Sequence, residues 1–261
     1  MATDPTAARA SAPRRHGLRA QLEGARAAVA FLTRLPVGGG AAGLAHAAGW
    51  FPVVGLLVGG GVAGVRALAD LALPPGPSTV LALAFGVALT GALHEDGLAD
   101  TADALGAHVD RARRLEILRD PRVGAYGALA IGLALLFAYA ALAPMSTGHF
   151  AVSVVVAHAL SRWSALAQSR LTAPARRDGA GVLLRTSGAA LAAGTIVAAA
   201  AAIALAGPTS GAVAAGLAAA VTVAGSLVVR HGLGGSTGDT YGAVAKAVEL
   251  ASYAVFAAAW A

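Results

Sequence analysis

The chain has 261 residues, of which 57% are hydrophobic and 12% are charged, and it contains no cysteine. This apolar content exceeds the needs of one soluble core and indicates a membrane protein. The absence of cysteine excludes disulfides, thiolate metal sites and iron–sulfur clusters, so carboxylates and histidines remain as the strong metal ligands. The net charge of +6 comes from basic clusters between apolar blocks, a pattern that favours membrane topology signals over nucleic-acid binding.

The chain divides into a short polar start and a long apolar remainder. Residues 1–24 are rich in Ala and Arg and are predicted to form a disordered cytoplasmic extension, whereas 25–261 are predicted to form one transmembrane catalytic domain. Seven apolar stretches approach the ~20 residues that a helix needs to cross a bilayer. They are 49–70, 78–99, 123–143, 150–168, 188–206, 211–229 and 243–261. The predicted fold is an all-α, polytopic bundle of about seven transmembrane helices in contact with membrane lipid.

The connections between these stretches alternate in charge. Basic residues occur before residue 49 and within 100–122, 169–187 and 230–242, whereas 71–77, 144–149 and 207–210 have no Lys or Arg. The positive-inside rule therefore places the N-terminus in the cytoplasm. The chain is expected to lie in the plasma (inner) membrane. The alternative is a very hydrophobic soluble bundle, but its helices should have polar faces, which these stretches lack.

The strongest polar cluster lies at the cytoplasmic end of the second span. On a helix, Asp96, Asp100 and Asp103 share one face, where their mutual repulsion is relieved if they bind Mg²⁺ or Mn²⁺. Glu95 is a further candidate ligand, and His94 is a candidate proton carrier. The alternatives are a solvated acidic helix end and a plain interfacial histidine, but so many acids beside an apolar span favour a function.

Arginines mark two further candidate sites. Arg119 and Arg122 precede the third span in a loop with Pro and Gly, where a helix N-terminus favours an anionic phosphate. They are equally typical of topology determinants. Arg162, near the inner end of the fourth span, is placed either to extend towards the interface or to reach a substrate phosphate.

A glycine-rich segment, residues 234–242, leads into the last span. Gly235, Thr237 and Gly238 are candidate phosphate-binding residues, because small residues expose backbone N–H groups before a helix. Asp239 is either a helix cap or a metal ligand. Inside the last span, Lys246 and Glu249 are three residues apart and are predicted to pair.

Several of these segments together resemble the cobalamin synthase family, adenosylcobinamide-GDP ribazoletransferase. The similar segments, in the family's order, are 31–36 (FLTRLP), 49–55 (GWFPVVG), 94–100 (HEDGLAD), 120–127 (DPRVGAYG), Ser161–Arg162 and 234–242 (GGSTGDTYG). They extend over about residues 25–250. The longer N-terminal extension and the Ala/Gly enrichment depart from the family but change none of these segments.

The resemblance implies a reaction. The family joins α-ribazole, or its 5′-phosphate, to adenosylcobinamide-GDP and releases GMP, with Mg²⁺ required. It implies that Asp96, Asp100 and Asp103 bind the metal and that Asp103, Asp239 or His94 is the base. The oligomeric state is left open.

Three rival functions remain at this stage. A CDP-alcohol phosphotransferase would use similar aspartate chemistry. An aromatic prenyltransferase should have two Asp-rich clusters, whereas Asp178 and Asp239 stand alone in the sequence. A transporter should have ionisable residues near the bilayer midplane and paired broken helices, whereas these acids are expected at one membrane face.

Overall fold

The computed structural model describes residues 12–38, 44–176, 184 and 186–260. These residues confirm the all-α class, since the β-structure among them is limited to one bridge between Pro174 and Ser236. The helices in chain order are α1 (Ala12–Leu32), α2 (Leu44–Ala47), α3 (Phe51–Ala69), α4 (Pro75–Thr90), α5 (Leu93–Gly106), α6 (Arg111–Ile117), α7 (Ala125–Leu142), α8 (Thr147–Leu171), α9 (Gly188–Ala206), α10 (Pro208–Leu233) and α11 (Gly238–Trp260).

The long helices confirm a multi-pass membrane protein. Among the described residues, α7 to α11 and the stretch Ala48–Ala69, which contains α3, are long and apolar enough to cross a bilayer, and α4 with α5 adds a bent seventh candidate. In the apolar window of α8, 72% of residues are buried, against 17% in α9. Helix α8 is therefore central, while α9 exposes apolar side chains at the bundle surface, as a lipid-facing helix does.

The second predicted span, 78–99, is broken rather than straight. Helix α4 ends at Thr90, and α5 turns away from it by 85°. Gly91 and Ala92 both adopt left-handed backbone conformations, with φ of 65° and 60°. Such a φ is uncommon for alanine, so it is the tertiary packing that fixes this elbow. The backbone N–H of Arg34 donates to the carbonyl oxygen of Leu89 over 2.8 Å and holds the loop after α1 against it.

Helix α1 replaces part of the predicted disordered extension. Residues 1–11 of that extension lie outside the described residues, as does Asp178. From Ala12 onward the chain is helical, which corrects the prediction for 12–24. The Ala, Arg, Leu, Gln and Glu of this segment favour helix, and its end buries Ala27, Ala28 and Leu32 against the bundle.

Glycines in α3 allow a close contact with α8. A Cβ at Gly59 would lie 2.6 Å from the Cα of Val155 on α8, and one at Gly55 would collide with the backbone of His158. The absence of a side chain therefore lets the two backbones touch, as small residues do between membrane helices.

Arg66, which interrupts the first span, is buried but neutralised. Its guanidinium lies 2.7 Å from Asp70, donates to the hydroxyl of Thr79 over 2.8 Å and stacks 4.9 Å from the ring centre of Phe150. A buried charge with these partners avoids the cost of an unpaired ion. This group joins α3 to α4 and α8.

Candidate active site

Helices α5 and α11 meet backbone to backbone. A Cβ at Gly97 would lie 2.5 Å from the carbonyl oxygen of Asp239, and one at Gly242 would lie 3.1 Å from that of Leu93. Only glycine permits this approach without displacing a helix. As a result, Asp96 and Asp239 line one cavity of about 180 Å³. We call this space the acidic cavity.

Negative charge accumulates where the two helices meet. The carboxylate of Asp100 is repelled by those of Asp96, Asp239 and Asp103, while Asp239 is attracted by Arg176. Carboxylate oxygens are the donors that Mg²⁺ prefers, so the donor set fits a hard cation. However, among the described residues no three His, Asp or Glu side chains are grouped closely enough to hold a metal ion. The magnesium site therefore stays a prediction.

Asp103 is held by backbone hydrogen bonds. Its two carboxylate oxygens accept the N–H groups of Gly124 over 2.7 Å and Gly127 over 2.9 Å, at the start of α7. A carboxylate in this position satisfies amides that a helix N-terminus leaves without partners. Asp103 thus joins α5 to α7, and nothing in this geometry singles it out as a base.

Glu95 points into a different group of residues from Asp96. It lies 2.7 Å from the Nζ of Lys246, which also lies 2.7 Å from Glu249. The pair Lys246–Glu249 is confirmed, and both residues are buried. Glu95 is therefore a partner of Lys246 in this structure, and its role as a metal ligand stays a prediction.

The buried group extends to α8. Glu249 lies 3.2 Å from His158 and 3.4 Å from Arg162, and the Nδ1 of His158 is 2.7 Å from Arg162. We call Glu95, Lys246, Glu249, His158 and Arg162 the buried ion network. Sequence reasoning assigned no role to His158, although its i, i+4 spacing to Arg162 on an apolar helix is a signal of contact.

Two members of the site face both the network and the acidic cavity. His94 and Arg162 line the acidic cavity and also a small neighbouring cavity of about 30 Å³. Both side chains are buried, and the Nε of Arg162 has no hydrogen-bond partner in the described part of the chain. A buried guanidinium N–H without a partner is costly. Because Arg162 lines the acidic cavity, its positive charge makes it a candidate to attract a bound anion.

The glycine-rich segment is fixed by its own hydrogen bonds. The N–H of Ser236 donates to the carbonyl oxygen of Ala173, and the N–H of Thr237 donates to the hydroxyl of Thr240. These two amides are therefore not available to cradle a phosphate. Of the three predicted phosphate-binding residues, Gly238 lines the acidic cavity, whereas Gly235 packs against 173–175 and Thr237 caps a helix.

Thr237, rather than Asp239, caps α11. The N–H of Thr240 donates to the hydroxyl of Thr237 over 3.4 Å, while the N–H of Thr237 donates back to Thr240. This reciprocal pattern is that of a capping box. It leaves the carboxylate of Asp239, which accepts from the hydroxyl of Thr237 over 3.2 Å, at the cavity wall.

The arginines before α7 lie in a separate loop. Arg122 is exposed and forms a two-point ion pair with Asp120, whose pKa the hydrogen bonds from Arg122 lower to about 2. Arg119 donates its backbone N–H to Glu116. Neither arginine lines the acidic cavity, so their role in binding substrate stays a prediction.

The sequence profile of the cobalamin-5-phosphate synthase family matches residues 24–257. The chain belongs to this family. Residues 24–257, which match the profile of the cobalamin-5-phosphate synthase family, include every candidate site residue and the helices α5 and α11 on both sides of the acidic cavity.

Curated relatives agree with this membership. The adenosylcobinamide-GDP ribazoletransferase of Azorhizobium caulinodans is 38% identical over 86% of this chain and 91% of its own length. Those of Mesorhizobium japonicum and Bradyrhizobium diazoefficiens are 40% and 38% identical, covering 85% and 89% of this chain and 87% and 92% of their own. No solved structure matches the chain significantly. These names belong to transferases, which favours an enzyme over a transporter.

Proposed function

We propose that this protein joins α-ribazole, or its 5′-phosphate, to adenosylcobinamide-GDP and releases GMP. Family membership and the names of the relatives support the overall reaction. The observation that carries the proposal is the close contact of α5 with α11, which puts Asp96 and Asp239 in the wall of one cavity.

The reaction exchanges one phosphorus–oxygen bond for another. A hydroxyl oxygen of α-ribazole bonds to the phosphorus on the cobinamide side, the bond from that phosphorus to GMP breaks, and the hydroxyl loses its proton. We assign the proton to His94, which is buried at the acidic cavity. Asp103 is a poorer base because both its oxygens already accept backbone N–H groups.

The protein's part is to position the substrates and balance their charge. Asp96, Asp100 and Asp239 would hold Mg²⁺, or Mn²⁺, which when bound neutralises charge on the phosphate oxygens. Arg162 lines the same cavity, where its positive charge suits an anionic oxygen.

The site is proposed to face the cytoplasm from the plasma (inner) membrane. The support is the distribution of arginines, because the connection after α5 carries Arg111, Arg113 and Arg114, whereas 144–149 carries no Lys or Arg. The α5 acids are next to this basic connection, so they share its side of the membrane. The apolar surfaces of α7 and α9 are proposed to contact lipid.

Release of GMP by purified protein in detergent tests the proposal. We expect release from adenosylcobinamide-GDP to require both Mg²⁺ and α-ribazole or its phosphate, and the ratio of kcat/KM values identifies the preferred acceptor. Undiminished release in EDTA would contradict the metal assignment. A lack of corrinoid product with either acceptor would contradict the reaction.

A further inference from the structure

The acidic cavity has two kinds of lining. Asp96, Asp239 and Arg162 supply charge, whereas much of the remaining wall is apolar. The apolar wall consists of Phe31, Leu32, Phe51, Leu93, Ala165 and Leu184. We propose that this wall binds the uncharged aromatic base of the acceptor nucleoside, and that Phe31 and Phe51 determine base specificity. This inference rests on the proposed function.

The size of the cavity excludes the corrin macrocycle, and its apolar wall favours benzimidazole over a purine, which carries more polar groups. Its volume of about 180 Å³ is below the roughly 300–1,000 Å³ of pockets that enclose a drug-sized ligand. It therefore holds one part of a substrate. A corrin macrocycle is far larger than a drug, whereas the flat bicyclic benzimidazole of α-ribazole is a fragment of suitable size. With the base against the apolar wall, the attached ribose lies close to the acids.

The two aromatic rings of the wall hold each other in place. The rings of Phe31 and Phe51 stack with centroids 5.9 Å apart and planes inclined by 15°, and Phe51 is 3% exposed. The hydrogen bond from Arg34 to Leu89 fixes the end of α1 against the α4–α5 elbow. A rigid aromatic surface loses little conformational freedom on binding, which favours another aromatic ring.

Leucine substitutions test the aromatic contribution while keeping the wall apolar. We expect Phe31→Leu and Phe51→Leu to raise the KM for α-ribazole about two- to tenfold, the range expected when an aromatic pair is lost. The KM for adenosylcobinamide-GDP should not change. The effect should shrink for a riboside with a smaller base. Phe137→Leu, on the exposed side of α7, is the matched control and should have no effect.

A measurement on the unaltered protein keeps the inference testable if the variants fold poorly. Free benzimidazole should inhibit competitively against α-ribazole and not against adenosylcobinamide-GDP. Competition against the corrinoid, or an equal rise of both KM values in the leucine variants, would overturn the assignment of the wall. Failure of the proposed function itself appears separately, as a lack of GMP release by the wild type.

Discussion

Lys246 on α11 lies 2.7 Å from Glu95 on α5, so a buried ion pair joins the two helices that carry Asp239 and Asp96. The ion pair therefore helps to hold Asp96 and Asp239 in position relative to each other. The same lysine also pairs with Glu249, which lies near His158 and Arg162 on α8. The ion network therefore fixes three helices around the acidic cavity.

Replacing Lys246 with Met should destabilise the protein by about 3–5 kcal/mol, because it leaves Glu95 buried without its cation and leaves Glu249 with Arg162 and His158 alone. Thermal unfolding in detergent measures the loss. Lys246→Arg keeps the charge and should be milder. Arg113→Ala removes an exposed pair with Glu116 and should cost at most about 1 kcal/mol. Equal losses of thermal stability in Lys246→Met and Arg113→Ala would show that the buried pair contributes little to stability.

Asp239→Asn should lower kcat by about 10²-fold or more without loss of thermal stability, since the side chain lines the acidic cavity and Thr237 is the helix cap. Thr237→Ala should do the reverse and cost about 1 kcal/mol of stability. Steady-state kinetics and thermal unfolding on both variants distinguish the roles. Wild-type turnover in Asp239→Asn would remove this acid from the site.

Asp96→Ala and Asp103→Ala should differ, although the sequence analysis predicts both residues as metal ligands. Asp103→Ala removes the acceptor of two N–H groups and should lose about 1–3 kcal/mol of stability together with activity. Asp96→Ala should abolish activity because it removes a proposed metal ligand. Its stability should be kept, because the substitution relieves the repulsion between Asp96 and Asp100. A stable, inactive Asp103→Ala protein would restore Asp103 as a metal ligand.

Mg²⁺ should raise the unfolding temperature of the wild type. Binding to the folded state at 100 times the Kd adds about 2.7 kcal/mol of stability. The shift should disappear in the Asp96→Asn/Asp239→Asn double variant and persist in Glu116→Gln, which changes an exposed acid that does not line the acidic cavity. A shift retained in the double variant would place the cation elsewhere.

Single cysteines in this cysteine-free chain test the topology. Gly148→Cys, where an added Cβ meets nothing within 4 Å, should react with a membrane-impermeant thiol reagent in intact cells. His108→Cys, in the loop after α5, should react only after the membrane is opened. The opposite pattern would reverse the proposed orientation.

Local sequence is enough to predict the helical membrane class and the approximate positions of the spans. Both depend on runs of about 20 apolar residues. A run of this length is a property of local sequence, and it matches the thickness of the bilayer. Local sequence also predicts the acid-bearing helix α5 and the pair Lys246–Glu249, because contacts three or four residues apart follow from helix geometry alone.

Which acids share a site depends on how the helices pack. The spacing of Asp96, Asp100 and Asp103 predicts the same metal-binding role for all three. In the structure, backbone N–H groups at the start of α7 donate to Asp103, and the contact of α5 with α11 brings Asp239 to the same cavity as Asp96. The α4–α5 elbow and the pairing of Glu95 with Lys246 cannot be predicted from the sequence either. Each depends on contacts between residues distant in sequence, and no local pattern encodes how two helix backbones approach.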